Sequence, residues 1–276
     1  MLTYDDYLRF RSELFPGQSD VVHDPASLCR FAEYQFVCEQ LALDAGQALV
    51  DLACSFNIFQ LFLAWSGLRV TGVDIDPGAF RDLEPRLRHV EQTGGRALDY
   101  TFEHANALDL PYPDGVFDRV ISISSLEHMF VDARPDRVHG DTLGLREAAR
   151  IVRPGGRLVV SVPMSGGGPF REAPEGDADY PEPYRLYTPE TIAERFLGVA
   201  GLHVRAQAYI PHRVPTPGVG DDAFMRYWMA TPPPERARLE PFAPVLAAQF
   251  QPLVAVDDDP SGFATAHTGL LAFDVE

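Results

Sequence analysis

The chain has 276 residues, enough to bury a sizeable core as one domain, and its 46% apolar fraction is ordinary for a folded protein. It carries a formal charge of −17, and all 23 of its cationic residues are arginines. An acidic surface repels a phosphate backbone, which argues against nucleic acid as a partner. The absence of lysine removes Schiff-base chemistry, pyridoxal phosphate anchoring and P-loop nucleotide binding from consideration.

Residues 1–45 read as helices. Tyr4, Tyr7, Leu8 and Phe10 open an aromatic-rich segment. The run Leu28 to Leu43 (Phe31, Tyr34, Phe36, Val37, Leu41) is apolar at helical spacing, with Asp24-Pro25 as a start signal ahead of it. An alternation follows, with strands expected at about 47–52, 69–74, 98–104, 119–124 and 157–162. Helices at about 57–66, 77–92 and 140–152 lie between them, the second opening at Pro77 and the third ending in Arg153-Pro154-Gly155-Gly156. Strands alternating with helices imply a doubly wound, mostly parallel α/β sheet. A glycine-, proline- and acid-rich loop covers 164–183, longer than a routine connection. Thr188 and Pro189 start a helix to about Ala200, and a sixth strand spans Leu202–Ile210. The proline-rich stretch 211–262 holds amphipathic segments at Ala223–Met229 and Pro241–Phe250, and His267–Val275 alternates as a last strand.

Val50-Asp51-Leu52-Ala53-Cys54-Ser55-Phe56-Asn57 has the outline of a nucleotide-binding strand–loop–helix unit with every expected loop glycine replaced. Alanine and serine add only small side chains, and asparagine tolerates left-handed backbone, so close approach of a ligand is hindered but not blocked. The spacing fails the dinucleotide fingerprint, which disfavours a pyrophosphate ligand. Asp74 ends the second strand 23 residues after Asp51, where a carboxylate can accept hydrogen bonds from ribose hydroxyls.

Downstream, Leu110-Pro111-Tyr112-Pro113-Asp114-Gly115-Val116-Phe117-Asp118 is followed by Leu126-Glu127-His128 and by Arg153-Pro154-Gly155-Gly156, then Tyr187-Thr188-Pro189-Glu190. With these segments in order, about residues 45–210 resemble the class I S-adenosylmethionine-dependent methyltransferases, the small-molecule subgroup in particular. The resemblance implies a Rossmann-like, doubly wound seven-stranded sheet with an antiparallel last strand. It implies one methyltransferase-like domain, with a helical N-terminal cap (1–45), a core (46–210), a helical insertion (211–265) and the last strand (266–276). S-adenosylmethionine is the implied cofactor and a small organic molecule the implied acceptor. Asp51 then orders the loop near the methionine part, and Ala53, Cys54 and Ser55 occupy the place of the family's glycine-rich loop. Asp74 matches the ribose-binding acid and Ile75 the apolar residue on the adenine. Asn106 and Ala107 match the adenine-amine side, and Ser124 the cofactor edge of the fourth strand.

A methyl acceptor benefits from a general base, and His128, at the sheet end where ligands collect, is the candidate. His139, Tyr184 and Tyr187 are alternatives for lining the acceptor pocket. The aromatics of the cap and insertion (Tyr4, Tyr7, Phe31, Tyr34, Phe224, Tyr227, Trp228) either shape an apolar acceptor pocket, pack against one another or support a homodimer. Two other readings stay open: a relative that has lost cofactor binding and acts as a scaffold, and one that binds the cofactor for non-methylating chemistry. A nicotinamide dehydrogenase leaves residues 106–157 without a counterpart. No metal site is expected, because His212, His267 and the three cysteines (Cys29, Cys38, Cys54) have no metal-like spacing. An odd cysteine count, no visible signal peptide and no apolar run near the roughly 20 residues that span a bilayer point to a cytoplasmic protein away from membranes.

Overall fold

A computed structural model describes residues 1–15, 26–130, 139–165, 168–176, 182–211 and 266–276. The expected 211–265 insertion, with its two amphipathic segments, and the Asp24-Pro25 start signal lie outside the described residues, apart from Pro211 at a strand end. Helices α1 (Tyr4–Leu14) and α2 (Ala26–Leu41) precede an alternation of β1 (Ala48–Leu52), α3 (Phe59–Trp65), β2 (Arg69–Asp74), α4 (Pro77–Gly94) and β3 (Tyr100–His104). Next come β4 (Phe117–Ile123), a one-turn 3-10 helix (Leu126–His128), α5 (Gly140–Ile151) and β5 (Val152–Pro163). The short strands β6 (Arg171–Ala173) and β7 (Tyr184–Leu186) pair antiparallel with each other. Helix α6 (Pro189–Ile192) continues into a π-helical turn (Ala193–Leu197) and leads to β8 (Leu202–Pro211) and β9 (Ala266–Val275).

Seven strands form one sheet in the order β3-β2-β1-β4-β5-β9-β8. Strands β1 to β5 pair parallel, and β9 runs antiparallel to both β5 and β8. The doubly wound sheet with its antiparallel last strand is the expected architecture. Period-2 alternation sends Leu49, Val70, Ile121 and Val159 into a core shared with α1 to α4, and Val50, Leu52, Val120 and Val160 into one shared with α5 and α6.

Local chemistry sets the element ends. Asp76 caps α4 by accepting from the Gly78 N–H at 2.7 Å, with Pro77 in the first turn. Thr188 caps α6 in the same way, accepting from the Thr191 N–H. Two arginines from the sheet close the C-terminus of α2: Arg119 Nε donates to the Leu41 carbonyl at 2.6 Å, and Arg157 Nη1 to that of Gln40 at 2.9 Å. Both cations meet the negative end of the helix dipole, which docks the N-terminal segment on the sheet.

Strand β5 differs from expectation. It begins at Val152 rather than 157, because Phe117 pairs with Val152 and Arg119 with Arg157, so residues 153–156 bulge from the ladder. A Cβ on Gly156 would meet the backbone oxygens of Arg153 and Asp118 at 2.8 Å, so the bulge closes only with glycine there. The expected loop 164–183 also holds β6, which pairs with β7.

Candidate functional site

Strand order reverses between β1 and β4, the switch point where ligands lodge at the carboxyl ends of parallel strands. The loop after β1 borders it. Ala53 and Ser55 take left-handed backbone, with φ of 53° and 47°. The loop has therefore kept a glycine conformation without glycine, at a cost of about 1–2 kcal/mol per residue. Side chains hold it there. Asn57 Nδ2 donates to the Cys54 carbonyl at 2.7 Å, and its Oδ1 accepts from the Gln60 N–H at 3.3 Å, capping the first turn of α3. Gln60, fully buried, donates from Nε2 to the carbonyls of Cys54 and Ser55, while its Oε1 accepts from the Tyr100 hydroxyl at 2.7 Å. A Cβ at Gly72 would meet Tyr100 Oη at 2.4 Å and Gln60 Oε1 at 2.7 Å, so glycine on β2 makes room for this brace. Sequence reading missed the Gln60–Tyr100–Gly72 brace; a lone glutamine within Phe59-Gln60-Leu61-Phe62 was the available signal.

Asp74 stands across from the loop. One carboxylate oxygen accepts from the Ser55 N–H and the other from the Asp76 N–H, both at 2.9 Å. Each oxygen keeps a further lone pair for a ligand hydroxyl. Ile75 beside it is 66% exposed, a large apolar side chain at a sheet end. The Ala105 N–H donates to the Asp74 carbonyl at 3.1 Å and brings Asn106 and Ala107 alongside. Asn106 Oδ1 already accepts from the Leu108 N–H at 3.0 Å, so it closes a local turn. Ala107 is buried.

Asp51 is 2% exposed at the end of β1, and burial pushes its carboxyl up to about 7. Across the switch point, Ser125 Oγ donates to the Ala53 carbonyl at 3.4 Å. Ser124, also left-handed at φ 46°, accepts from Arg30 Nη1 at 2.7 Å and donates to Glu33 Oε1 at 3.1 Å. Ser161 Oγ on β5 donates to the same Glu33 oxygen at 2.6 Å, and Arg30 pairs with the other at 2.7 Å. Thus α2 from the N-terminal segment is tied to the ends of β4 and β5 through a fully buried carboxylate.

His128 lies on the 3-10 turn after β4. Its Nδ1 is 2.6 Å from the carbonyl of Pro183. A carbonyl only accepts, so Nδ1 carries the proton and Nε2 is left as the basic nitrogen of the neutral ring. Glu127 Oε1 is 3.8 Å from Nε2, beyond hydrogen-bond range. The Glu127 side chain is 4% exposed and its Oε2 has no hydrogen-bond partner among the described residues. Burial pushes its carboxyl up to about 8.

Other expectations resolve differently. Tyr187 is fully buried with its hydroxyl on Asp141 Oδ2 at 2.8 Å, so it holds the core rather than lining a pocket. Tyr184 is buried under the Arg171 guanidinium, and His139 precedes α5 without a capping side-chain bond. Tyr4, Tyr7 and Tyr34 pack with α3 inside the core, Tyr34 stacked on Phe59 at 4.1 Å. Of the alternatives for the cap aromatics, mutual packing holds for these three. The side chains of Phe31, Phe224, Tyr227, Trp228, Cys29, His212 and His267 lie outside the described residues. Cys38 and Cys54 are buried free thiols, and the described residues contain no group of His, Cys, Asp and Glu side chains suited to a metal. No described helix is long and apolar enough to cross a membrane.

Strand order and the antiparallel last strand are those of the Rossmann-like fold of class I S-adenosylmethionine-dependent methyltransferases. Residues 50–160 match the family described as a methyltransferase domain. The chain is 36% identical over 127 residues to 27-O-demethylrifamycin SV methyltransferase of Amycolatopsis mediterranei, covering 44% of this chain and 40% of that one. It is 32% identical over 168 residues to methyltransferase GfsG of Streptomyces halstedii, covering 56% of each. The chain thus spans about half the length of these curated relatives. Among solved structures, the [4+2]-cyclase SpnF covers 99% of the chain and 94% of its own, at TM-score 0.57 and 19% identity. A Burkholderia thailandensis 1,6-didemethyltoxoflavin-N1-methyltransferase, solved with S-adenosylhomocysteine, covers 100% and 91% at TM-score 0.53 and 17% identity. At such identities the likeness concerns the fold alone.

Proposed function

We propose that the protein transfers a methyl group from S-adenosylmethionine to a small organic acceptor. One observation carries the reading: Ala53 and Ser55 hold glycine-like backbone while the Ser55 N–H orients the Asp74 carboxylate. A chain that had lost its ligand would have no need to sustain that strain. The residues also fit the cofactor chemically. Asp74 presents acceptors for ribose hydroxyls, Ile75 an apolar face for the adenine, and Asp51 a carboxylate for the ammonium of the methionine part. Ala53, Cys54 and Ser55 supply the backbone beside it, with Asn106, Ala107 and Ser124 completing the rim.

Bound there, S-adenosylmethionine supplies a sulfonium-activated methyl group. The chain's contribution is positioning and a base. His128, its proton fixed on Nδ1 by the Pro183 carbonyl, has Nε2 to receive the acceptor's proton. The curated relatives include an enzyme named for a rifamycin derivative, which supports a hydroxylated natural-product-like acceptor in this chain too. The charge of −17 and the two buried thiols agree with a cytoplasmic enzyme of small molecules, away from nucleic acid and membranes. We assign the cap (1–45), core (46–210), insertion (211–265) and last strand (266–276) to one domain. The test is transfer of isotopically labelled methyl from S-adenosylmethionine to a panel of hydroxylated macrolactones and quinols. Labelled product supports the reading; cofactor that binds without product from any acceptor contradicts it.

A further inference from the structure

A buried arginine is costly unless something requires it. Arg185 on β7 is 2% exposed, and three of the residues its guanidinium meets belong to one turn. Nη1 donates to the Met129 carbonyl at 2.8 Å and reaches that of Glu127 at 3.5 Å, the two residues that flank His128. Its plane lies over the Phe130 ring, 3.7 Å from the centroid. Nε pairs with Glu172 Oε1 at 2.6 Å, the residue directly opposite it in the β6–β7 ladder. Asp141 Oδ2 is farther, at 3.8 Å, and is already taken by the Tyr187 hydroxyl and by Arg195 Nη1 at 2.9 Å. Glu172 is therefore the anion that balances Arg185. Two residues earlier, just ahead of β7, the Pro183 carbonyl takes the His128 ring nitrogen at 2.6 Å.

We propose that Arg185 is a positioning residue for His128: seated on Glu172, it fixes the backbone on both sides of the histidine so that the Pro183 carbonyl selects the tautomer whose Nε2 is basic. This rests on the reading of His128 as the base. The physical reason is leverage. The 3-10 turn has a single turn of backbone to hold its shape, and the hairpin braces it from outside. A fork of N–H donors reaches two carbonyls and a carboxylate together; an ammonium group does not match that geometry.

The experiment uses the full chain labelled with 15N-histidine, the His128 signals being assigned by their loss in His128→Ala. Long-range proton–nitrogen spectra are recorded at alkaline pH, where the ring is neutral. Wild type is expected to hold one tautomer, protonated at Nδ1. Arg185→Met is expected to show a mixture of tautomers, with kcat lowered about 10- to 100-fold while affinity for S-adenosylhomocysteine stays within about 3-fold. Glu172→Gln shifts the spectrum in the same direction by less, and Arg185→Lys restores it in part. If Arg185→Met does not fold, Glu172→Gln decides the matter. A folded variant that keeps the wild-type tautomer overturns the proposal, as does a wild-type ring protonated at Nε2. Full turnover in His128→Ala would instead sink the base, and the spectra would still judge Arg185 by themselves.

Discussion

The two sides of the switch point are held in opposite ways. The loop after β1 is fixed mostly by neutral groups, the side-chain amides of Asn57 and Gln60 on backbone carbonyls, with one carboxylate, Asp74, on the Ser55 N–H. The turn after β4 is fixed by ion pairs with one buried member each, Arg185 with the exposed Glu172 on one side and Glu33 with the partly exposed Arg30 on the other. The neutral side is assembled from partners mostly within about twenty residues; the ionic side needs partners 56 to 94 residues apart. A neutral amide brace tolerates an arriving charged ligand at little desolvation cost, which suits a cofactor that comes and goes. Ion pairs with one buried member are unforgiving of loss, which suits a group that must stay aimed.

The largest effect should separate the two sides. Replacing His128 by alanine is expected to lower kcat by about 10²- to 10⁴-fold and to leave cofactor affinity unchanged. Equal losses in both, by steady-state kinetics and calorimetry, would make the histidine structural and erase the contrast. Asp74→Ala is the mirror experiment. It removes the proposed ribose acceptor and the anchor of the Ser55 amide together, so S-adenosylhomocysteine should bind about 10- to 100-fold more weakly, charged hydrogen bonds contributing about 1.5–3 kcal/mol each.

A pH series sharpens the comparison further. Burial raises Asp51 to about 7 and Glu127 to about 8, both above their unfolded values. Groups shifted in this direction stabilise the fold fully below their unfolded pKa, and that stabilisation is lost as pH rises through the folded one. The ligand-free protein should therefore melt at lower temperature as pH climbs from 6 to 9, by calorimetric scanning. Asp51→Asn should flatten part of that fall. An ammonium seated on Asp51 favours its ionised form, so wild-type affinity for S-adenosylhomocysteine should strengthen about 10-fold from pH 6 to 8, and the asparagine variant should lose the slope. A steeper slope in the variant would put the ammonium elsewhere. The smallest effect belongs to Ala53→Gly. Relief of left-handed strain is partly offset by the freer unfolded chain, which leaves a stabilisation of about 0.5 kcal/mol in chemical denaturation. Destabilisation would mean that the alanine methyl packs usefully.

The same division explains what the sequence revealed. Strand β2, the Asp76-Pro77 start of α4 and the span of β9 follow from local pattern and capping chemistry, and each lies within a residue of expectation, while the antiparallel direction of β9 came from the family resemblance. The places of Asp51 and Asp74 at strand ends were legible from the same local pattern. The three-residue strands β6 and β7 were not, because each owes its existence to its partner, and their surroundings of glycine, proline and acid read as loop. Strand β5 hid its start behind Arg153-Pro154-Gly155-Gly156, a sequence equally suited to ending a helix and to bulging a strand. Nor could Arg185 be distinguished from any surface arginine, since its role exists only once residues 127–130 lie beside it. The loop glycines misled in the other direction. Their absence suggested a loop that hinders close approach of a ligand; its backbone nonetheless takes the glycine conformation at Ala53 and Ser55, braced from behind by Gln60 and Tyr100.

Whether that braced loop still serves a cofactor is the central matter, and calorimetric titration of the full chain with S-adenosylhomocysteine addresses it most directly. A single site with a dissociation constant in the micromolar range, weakened in Asp74→Ala, is the predicted result. No heat and no thermal shift at millimolar ligand would contradict the account.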